Sequence, residues 1–148
     1  MKAVGNIVSL YLSVPQEKAP QNREILLLDE RGVQGDKHYN TDLQRSVLIT
    51  SLESYALAQK YQIEVPYGLL GENLLIDYNP YGLTIGRQLR IGDILLEISQ
   101  PCPLCNHLRS INTKLPKLLK NNRGIFAKVI ESGEVKVGER IYLLPFNG

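Results

Sequence analysis

The two cysteines of the chain, Cys102 and Cys105, stand three positions apart in the stretch EISQPCPLCNHL (Glu97 to Leu108), with His107 close behind. Four chemistries use such a spacing: a disulfide, a zinc site, a redox pair, or one working thiolate beside an ordinary neighbour. The opening MKAVGNIVSLYLSV is broken by Asn6 and Ser9 and is followed by no small-residue cleavage site, so no export signal is expected. That places the cysteines in a reducing cytoplasm, where a structural disulfide is disfavoured. Structural zinc takes four ligands, whereas Cys102, Cys105 and His107 supply three and the other histidine, His38, lies far back in the chain. A thioredoxin-like pair opens a helix, whereas Pro101 and Pro103 crowd this one. Buried cysteine also packs as a small hydrophobe. A proline-punctuated loop after a strand, however, is where a rigid scaffold presents reactive groups.

Two further segments carry candidate ligand-binding chemistry. In GVQGDKH, Gly32 to His38, two glycines bring backbone N–H groups close together while Lys37 and His38 add donors, which suits a phosphate-like anion. The plain alternative is a turn with a solvated lysine. In GLLGENLLI, Glu72 and Asn73 fall between a glycine turn and an apolar run, where Asn73 either orients a ligand or caps the turn. Seventeen Lys and Arg against fifteen Asp and Glu leave a net charge of +2. The modest cluster Lys114, Lys117, Lys120 and Arg123 fits a small anion better than a nucleic acid.

These residues must be positioned by a strand-rich chain. With 148 residues, 43% of them apolar and 22% charged, the composition is that of one globular domain spanning 1–148, and no apolar run is long enough for a membrane span. NIVSLYLSV reads as a first strand, EILLLDERGVQGDKH as a short strand entering a glycine loop, and RSVLIT, Arg45 to Thr50, as a β-branched strand. Thr50 with Glu53 forms a capping box opening the helix SLESYALAQKY. LRIGDILLEIS and VKVGERIYLL echo one another as strand, Gly-acid, strand, predicting two tight hairpins or corners between barrel strands. LPKLLKNN reads as a short helix with Pro116 in its first turn, and GIFAKVI as a buried strand. The pattern predicts a mainly β fold: a closed or nearly closed β-barrel with a few short peripheral helices.

Taken in order, GDKH, RSVLIT with its helix, GENLLI, LRIGDILLEISQPCPLC and RGIFAKVIESGEVKVGERI resemble the MOSC domain, the molybdenum cofactor sulfurase C-terminal domain. The resemblance runs from about Gly32 to Leu144 and is most specific in the last two segments. It implies a β-barrel and a molybdopterin-type molybdenum cofactor. It also implies one cysteine that ligates the metal or accepts sulfur, and counting from the Gln-Pro turn that cysteine is Cys105, with Cys102 a variable neighbour. A flat, anionic pterin phosphate needs donors and cations, for which Lys37, His38, Arg45, Asn73 and Arg123 are the candidates. The implied activities are reduction of N-hydroxylated compounds or transfer of cofactor or sulfur, with a cofactor-synthesis or redox protein as partner. Two alternatives stand beside these: a non-enzymatic delivery module, and a zinc-stabilised structural barrel using Cys102, Cys105 and His107.

Overall fold

The computed structural model describes residues 1–103 and 106–146. Eleven strands and three helices follow one another along the described residues: β1 (Gly5–Leu12), β2 (Gln21–Arg23), β3 (Ile25–Asp29), β4 (Gly32–Val33), β5 (Val47–Ser51), α1 (Leu52–Lys60), β6 (Leu74–Ile76), β7 (Gln88–Ile91), β8 (Ile94–Pro101), α2 (Asn106–Ile111), α3 (Leu115–Leu118), β9 (Ile125–Glu131), β10 (Gly133–Lys136) and β11 (Arg140–Leu143). Seven strands close into a barrel in the order β11-β7-β8-β9-β5-β6-β1. Closure comes from β1 meeting β11 at Gly5↔Ile141 and Asn6↔Arg140. Every neighbouring pair is antiparallel except β5 and β6. A small sheet, β10-β3-β4, stands beside the barrel.

Alternation along the strands sorts side chains between two cores, because successive residues of a strand point to opposite faces. Val47 and Ile49 of β5 and Leu74 and Ile76 of β6 fill the barrel with Leu89, Ile91, Ile94, Leu96 and Ile141. Leu75, facing outwards, joins Tyr11, Tyr55, Ala58, Leu108, Leu115 and Leu119 in a second cluster that the three helices cover. Fully burying one such leucine contributes roughly 2 kcal/mol, so each helix is held chiefly by its apolar residues on this outer face.

The predicted barrel and its short helices are present, with three differences in detail. Ser51, not Thr50, caps α1: its hydroxyl accepts from the Glu53 N–H at 3.2 Å, while Thr50 is still inside β5 with its side chain buried. α2 has no counterpart in the sequence reading. The two Gly-acid echoes also diverge. Gly92-Asp93 is a two-residue hairpin turn joining β7 to β8, with Ile91↔Ile94 as the closing pair and Gly92 at φ 56°. Gly138-Glu139 is a corner, because β10 pairs with β3 while β11 pairs with β7. The two turns meet: a side chain at Gly92 would collide with the Glu139 carboxylate. No described helix is long and apolar enough to cross a membrane.

Candidate functional site

A pocket of about 520 Å³ opens where several connections converge on the outer face of β5. The β1–β2 loop brings Ser13 and Glu17 to Pro20, and the long β4–β5 connection brings Lys37, His38, Asp42 and Arg45. Opposite them lie Gly68 to Gly71, Cys102, Pro103, His107, Arg123 and Phe126, with Leu48 and Asn73 also in the wall. The candidates Lys37, His38, Arg45, Asn73 and Arg123, drawn from four separate segments, therefore share one cavity. Cys105 lies outside the described residues. Among the described residues no group of three His, Cys, Asp or Glu side chains is placed to hold a metal ion.

The first wall is organised by Asp36, only 7% exposed. Its Oδ1 accepts from Ser13 N–H at 2.8 Å and Asn73 Nδ2 at 3.1 Å, and its Oδ2 from His38 N–H at 3.0 Å and His38 Nδ1 at 3.2 Å. Burial pushes this carboxyl up, but the hydrogen bonds from His38 and Ser13 outweigh it and hold the group below the ordinary aspartate value. A second tie is the Lys37 N–H, which donates to Ser13 O at 2.7 Å. The side chains of Lys37 and His38 are thereby left exposed over the pocket while their backbone is anchored. Arg45 leans on Phe126, its guanidinium carbon 5.4 Å from the ring centroid, and pairs loosely with Asp42 at 3.9 Å. With its amide oxygen turned to the guanidinium, Gln100 accepts from Arg45 Nε at 2.8 Å and Nη2 at 3.1 Å.

The second wall is the segment Gly68 to Asn73 with Arg123 behind it. Glu72 is wholly buried. Its Oε2 accepts from the Tyr55 hydroxyl at 2.5 Å and from Gly68 N–H at 3.2 Å, while Oε1 has no partner among the described residues. The Tyr55 oxygen in turn accepts from Gly68 and Leu70 N–H at 3.0 and 3.3 Å, so one helix side chain fixes the glycine loop. At Gly68, φ is 90° and a Cβ would stand 2.7 Å from the Tyr11 ring, so no other residue fits there without rearrangement. Burial raises the Glu72 carboxyl above its ordinary value, against the Tyr55 and backbone hydrogen bonds and the charge of Arg123. Arg123 is 5% exposed, and its Nε and Nη1 have no partner among the described residues. Across the mouth, His107 Nε2 donates to Leu69 O at 2.7 Å, tying α2 to the same loop.

The profile of the MOSC domain family matches residues 34–142, a span that takes in the pocket lining from Lys37 to Phe126 but not the β1–β2 loop. The chain belongs to the MOSC domain family. Among solved structures, the YuaD protein from Bacillus subtilis superposes with a TM-score of 0.82 at 18% identity, covering 93% of each chain. YiiM from Geobacillus stearothermophilus gives 0.78 at 17% identity, covering 95% of this chain and 75% of that one. YiiM from Escherichia coli gives 0.71 at 21% identity, covering 99% and 71%. No curated protein matches the sequence.

Within this MOSC domain the candidate residues differ in what they have left to offer a ligand. Asn73 is fully engaged: its oxygen accepts from Leu48 N–H at 3.1 Å and its amide donates to Tyr11 O at 3.2 Å and to Asp36. It holds the two walls together. Lys37, His38 and Arg45 present exposed side chains, and Arg123 presents a buried one with donors unused. Cys102 is set in the wall by its N–H, which donates to Gly124 O at 3.0 Å. Asp36, Tyr55 and Glu72 had no site role in the sequence reading. For Asp36 and Glu72 the only signal was an acid beside a glycine in GDKH and GENLL, and for Tyr55 there was none.

Proposed function

We propose that this MOSC domain binds a molybdopterin-type cofactor in the pocket, with the Cys105 thiolate as metal ligand or sulfur acceptor. The observation that carries the reading is Arg123. A guanidinium that is 5% exposed, lines a cavity and leaves Nε and Nη1 without a partner among the described residues asks for an acceptor, because an unpaired buried donor costs roughly 1–3 kcal/mol. A phosphate-bearing, flat, anionic ligand answers that demand, with Lys37, His38 and Arg45 meeting its charge from the opposite wall. The residues present therefore fit the anionic part of the cofactor. Pro103 and His107, which flank the undescribed Leu104 and Cys105 in sequence, both line the pocket. That supports the Cys105 role the family resemblance implies, since a deprotonated thiolate is the form that binds soft metals or accepts sulfur.

When bound, the cofactor would supply redox chemistry at molybdenum. The chain's own contribution is to place donors, to keep the glycine loop in position through Tyr55, and to offer the thiolate. The same pocket serves a reductase of N-hydroxylated compounds or a module that hands cofactor or sulfur to a partner protein.

The test is to purify the protein from a molybdate-replete host and measure bound metals and pterin. Molybdenum and pterin that persist in Cys102→Ser and disappear in Cys105→Ser support the reading. One equivalent of zinc without pterin, lost equally in both variants, overturns it in favour of the zinc-stabilised barrel.

A further inference from the structure

Glu72 does nothing in the reading above except steady a loop, a task that Oε2 performs alone. Its other oxygen is buried without a partner among the described residues, as are two nitrogens of Arg123. Arg123 runs past the residue preceding Glu72, since a Cβ at Gly71 would lie 3.9 Å from Arg123 Nη2, and its charge acts on the Glu72 carboxyl. The groups facing the Glu72 carboxylate are few. Tyr55 donates from α1, Tyr11 of β1 and Tyr81 after β6 feel its charge, and Arg123 acts on it from the segment before β9. The phenols are neutral, with burial holding Tyr81 up to about 12. Arg123 is therefore the one cation among these groups, and Glu72 the one carboxyl group.

We infer that Glu72 is a proton acceptor coupled to the anion site, so that an oxyanion settling on Arg123 brings one proton from solvent onto the Glu72 carboxylate. The inference rests on the pocket being an anion site. Without ligand, burial disfavours the Glu72 carboxylate and the guanidinium charge offsets part of that. A second anion competes for that positive charge and repels the first in a buried, weakly screened setting. Protonating Oε1 removes the repulsion. The proton count balances, since one H⁺ leaves solvent and one O–H bond forms on Glu72, which offsets one unit of the negative charge that the anion brings in. Anion affinity must then fall with rising pH between the empty-site and filled-site midpoints of Glu72, by up to about tenfold per pH unit for one linked proton.

Sulfate is the probe, because it does not itself titrate across the neutral range. Calorimetry over a pH series, in buffers of different ionisation enthalpy, counts protons taken up per sulfate bound. It is run in a His38→Gln/His107→Gln background so that the pocket's imidazoles leave the count. The expected result is uptake rising towards one proton within a pH window, abolished by adding Glu72→Gln. As a reading independent of that variant's folding, the ¹³C carboxyl resonance of Glu72 in the parent protein should titrate at higher pH with sulfate present. An unmoved midpoint, unchanged uptake with Glu72→Gln, or no sulfate binding each overturns the inference. Because the pterin content of the purified protein is measured separately, failure here is distinguishable from failure of the cofactor reading.

Discussion

Asp36 and Glu72 are two buried carboxyl groups on opposite walls of one pocket, and their proton affinities are displaced in opposite directions. Burial alone does not separate them, for Asp36 is 7% exposed and Glu72 not at all. Hydrogen-bond supply does. Asp36 has two acceptor contacts on each oxygen, three of them from N–H groups fixed by backbone or by Asn73. Glu72 has one satisfied oxygen and one without a partner among the described residues. A desolvated carboxylate keeps its charge when donors replace water and tends to lose it when they do not. The first wall is therefore a fixed charge with structural work to do, and the second is a charge free to change.

The largest effect should come from removing the fixed one. Asp36→Ala leaves the Ser13 N–H and Asn73 Nδ2 buried without their acceptor and frees the His38 backbone. We expect a loss of about 2–4 kcal/mol in urea denaturation, with the β4–β5 connection becoming exchange-labile. A loss below about 1 kcal/mol would mean the carboxylate is not the organiser of that wall. Next in size, Tyr55→Phe withdraws the donor to Glu72 and the acceptor for Gly68 and Leu70 N–H. The expected cost is about 1–2 kcal/mol, together with an upward move of the Glu72 midpoint, because the hydrogen bond lost had favoured the ionised form.

The pH dependence of stability then separates the two walls by sign. Asp36 titrates below its unfolded value, so its contribution is present above the ordinary aspartate range and is lost as pH falls through the folded midpoint. Glu72 titrates above its unfolded value, so the stability it confers when protonated is present below the ordinary glutamate range and declines as pH rises through its folded midpoint. In Glu72→Gln the decline on the rising side should vanish while the acid-side loss through Asp36 remains. A variant that kept both limbs would show that another group carries the second.

The barrel was legible because its strands are β-branched or leucine-rich runs separated by glycine, and those features are local. That Lys37, Arg45 and Arg123 would serve one ligand came from the family resemblance and not from their spacing; the structure lines one cavity with all three. Pairing across the chain was not legible. VKVGERIYLL looks like LRIGDILLEIS, yet becomes a corner because Val135 meets Leu26 over a hundred positions away. The surroundings of Asn73 were hidden for a similar reason, since its partners Tyr11, Asp36 and Leu48 lie on three other elements. Nor does an acid beside glycine in GDKH or GENLL declare which of the two will be fully hydrogen-bonded. That depends on Ser13, His38 and Tyr55, contributed by the β1–β2 loop, the β4–β5 connection and α1.

The smallest effect on folding, and the clearest on binding, belongs to the exposed cations that Asp36 sets in place. Arg45 rests on Phe126 and against the Gln100 amide, partly in water, and Lys37 stands free of any ion pair among the described residues. Exposed charges of this kind seldom contribute measurably to stability, so Lys37→Ala and Arg45→Ala should each change the unfolding free energy by no more than about 0.5 kcal/mol. Retention of an anionic cofactor is another matter, because a charge-assisted hydrogen bond to phosphate forms only when the ligand is there. Each substitution should weaken retention by about 1–3 kcal/mol, read as pterin lost on dialysis. Lys37→Arg, which keeps the charge, should recover most of it. Pterin retention undiminished from the parent protein in both alanine variants would show that neither Lys37 nor Arg45 holds the anion, leaving Arg123 and His38 as its contacts.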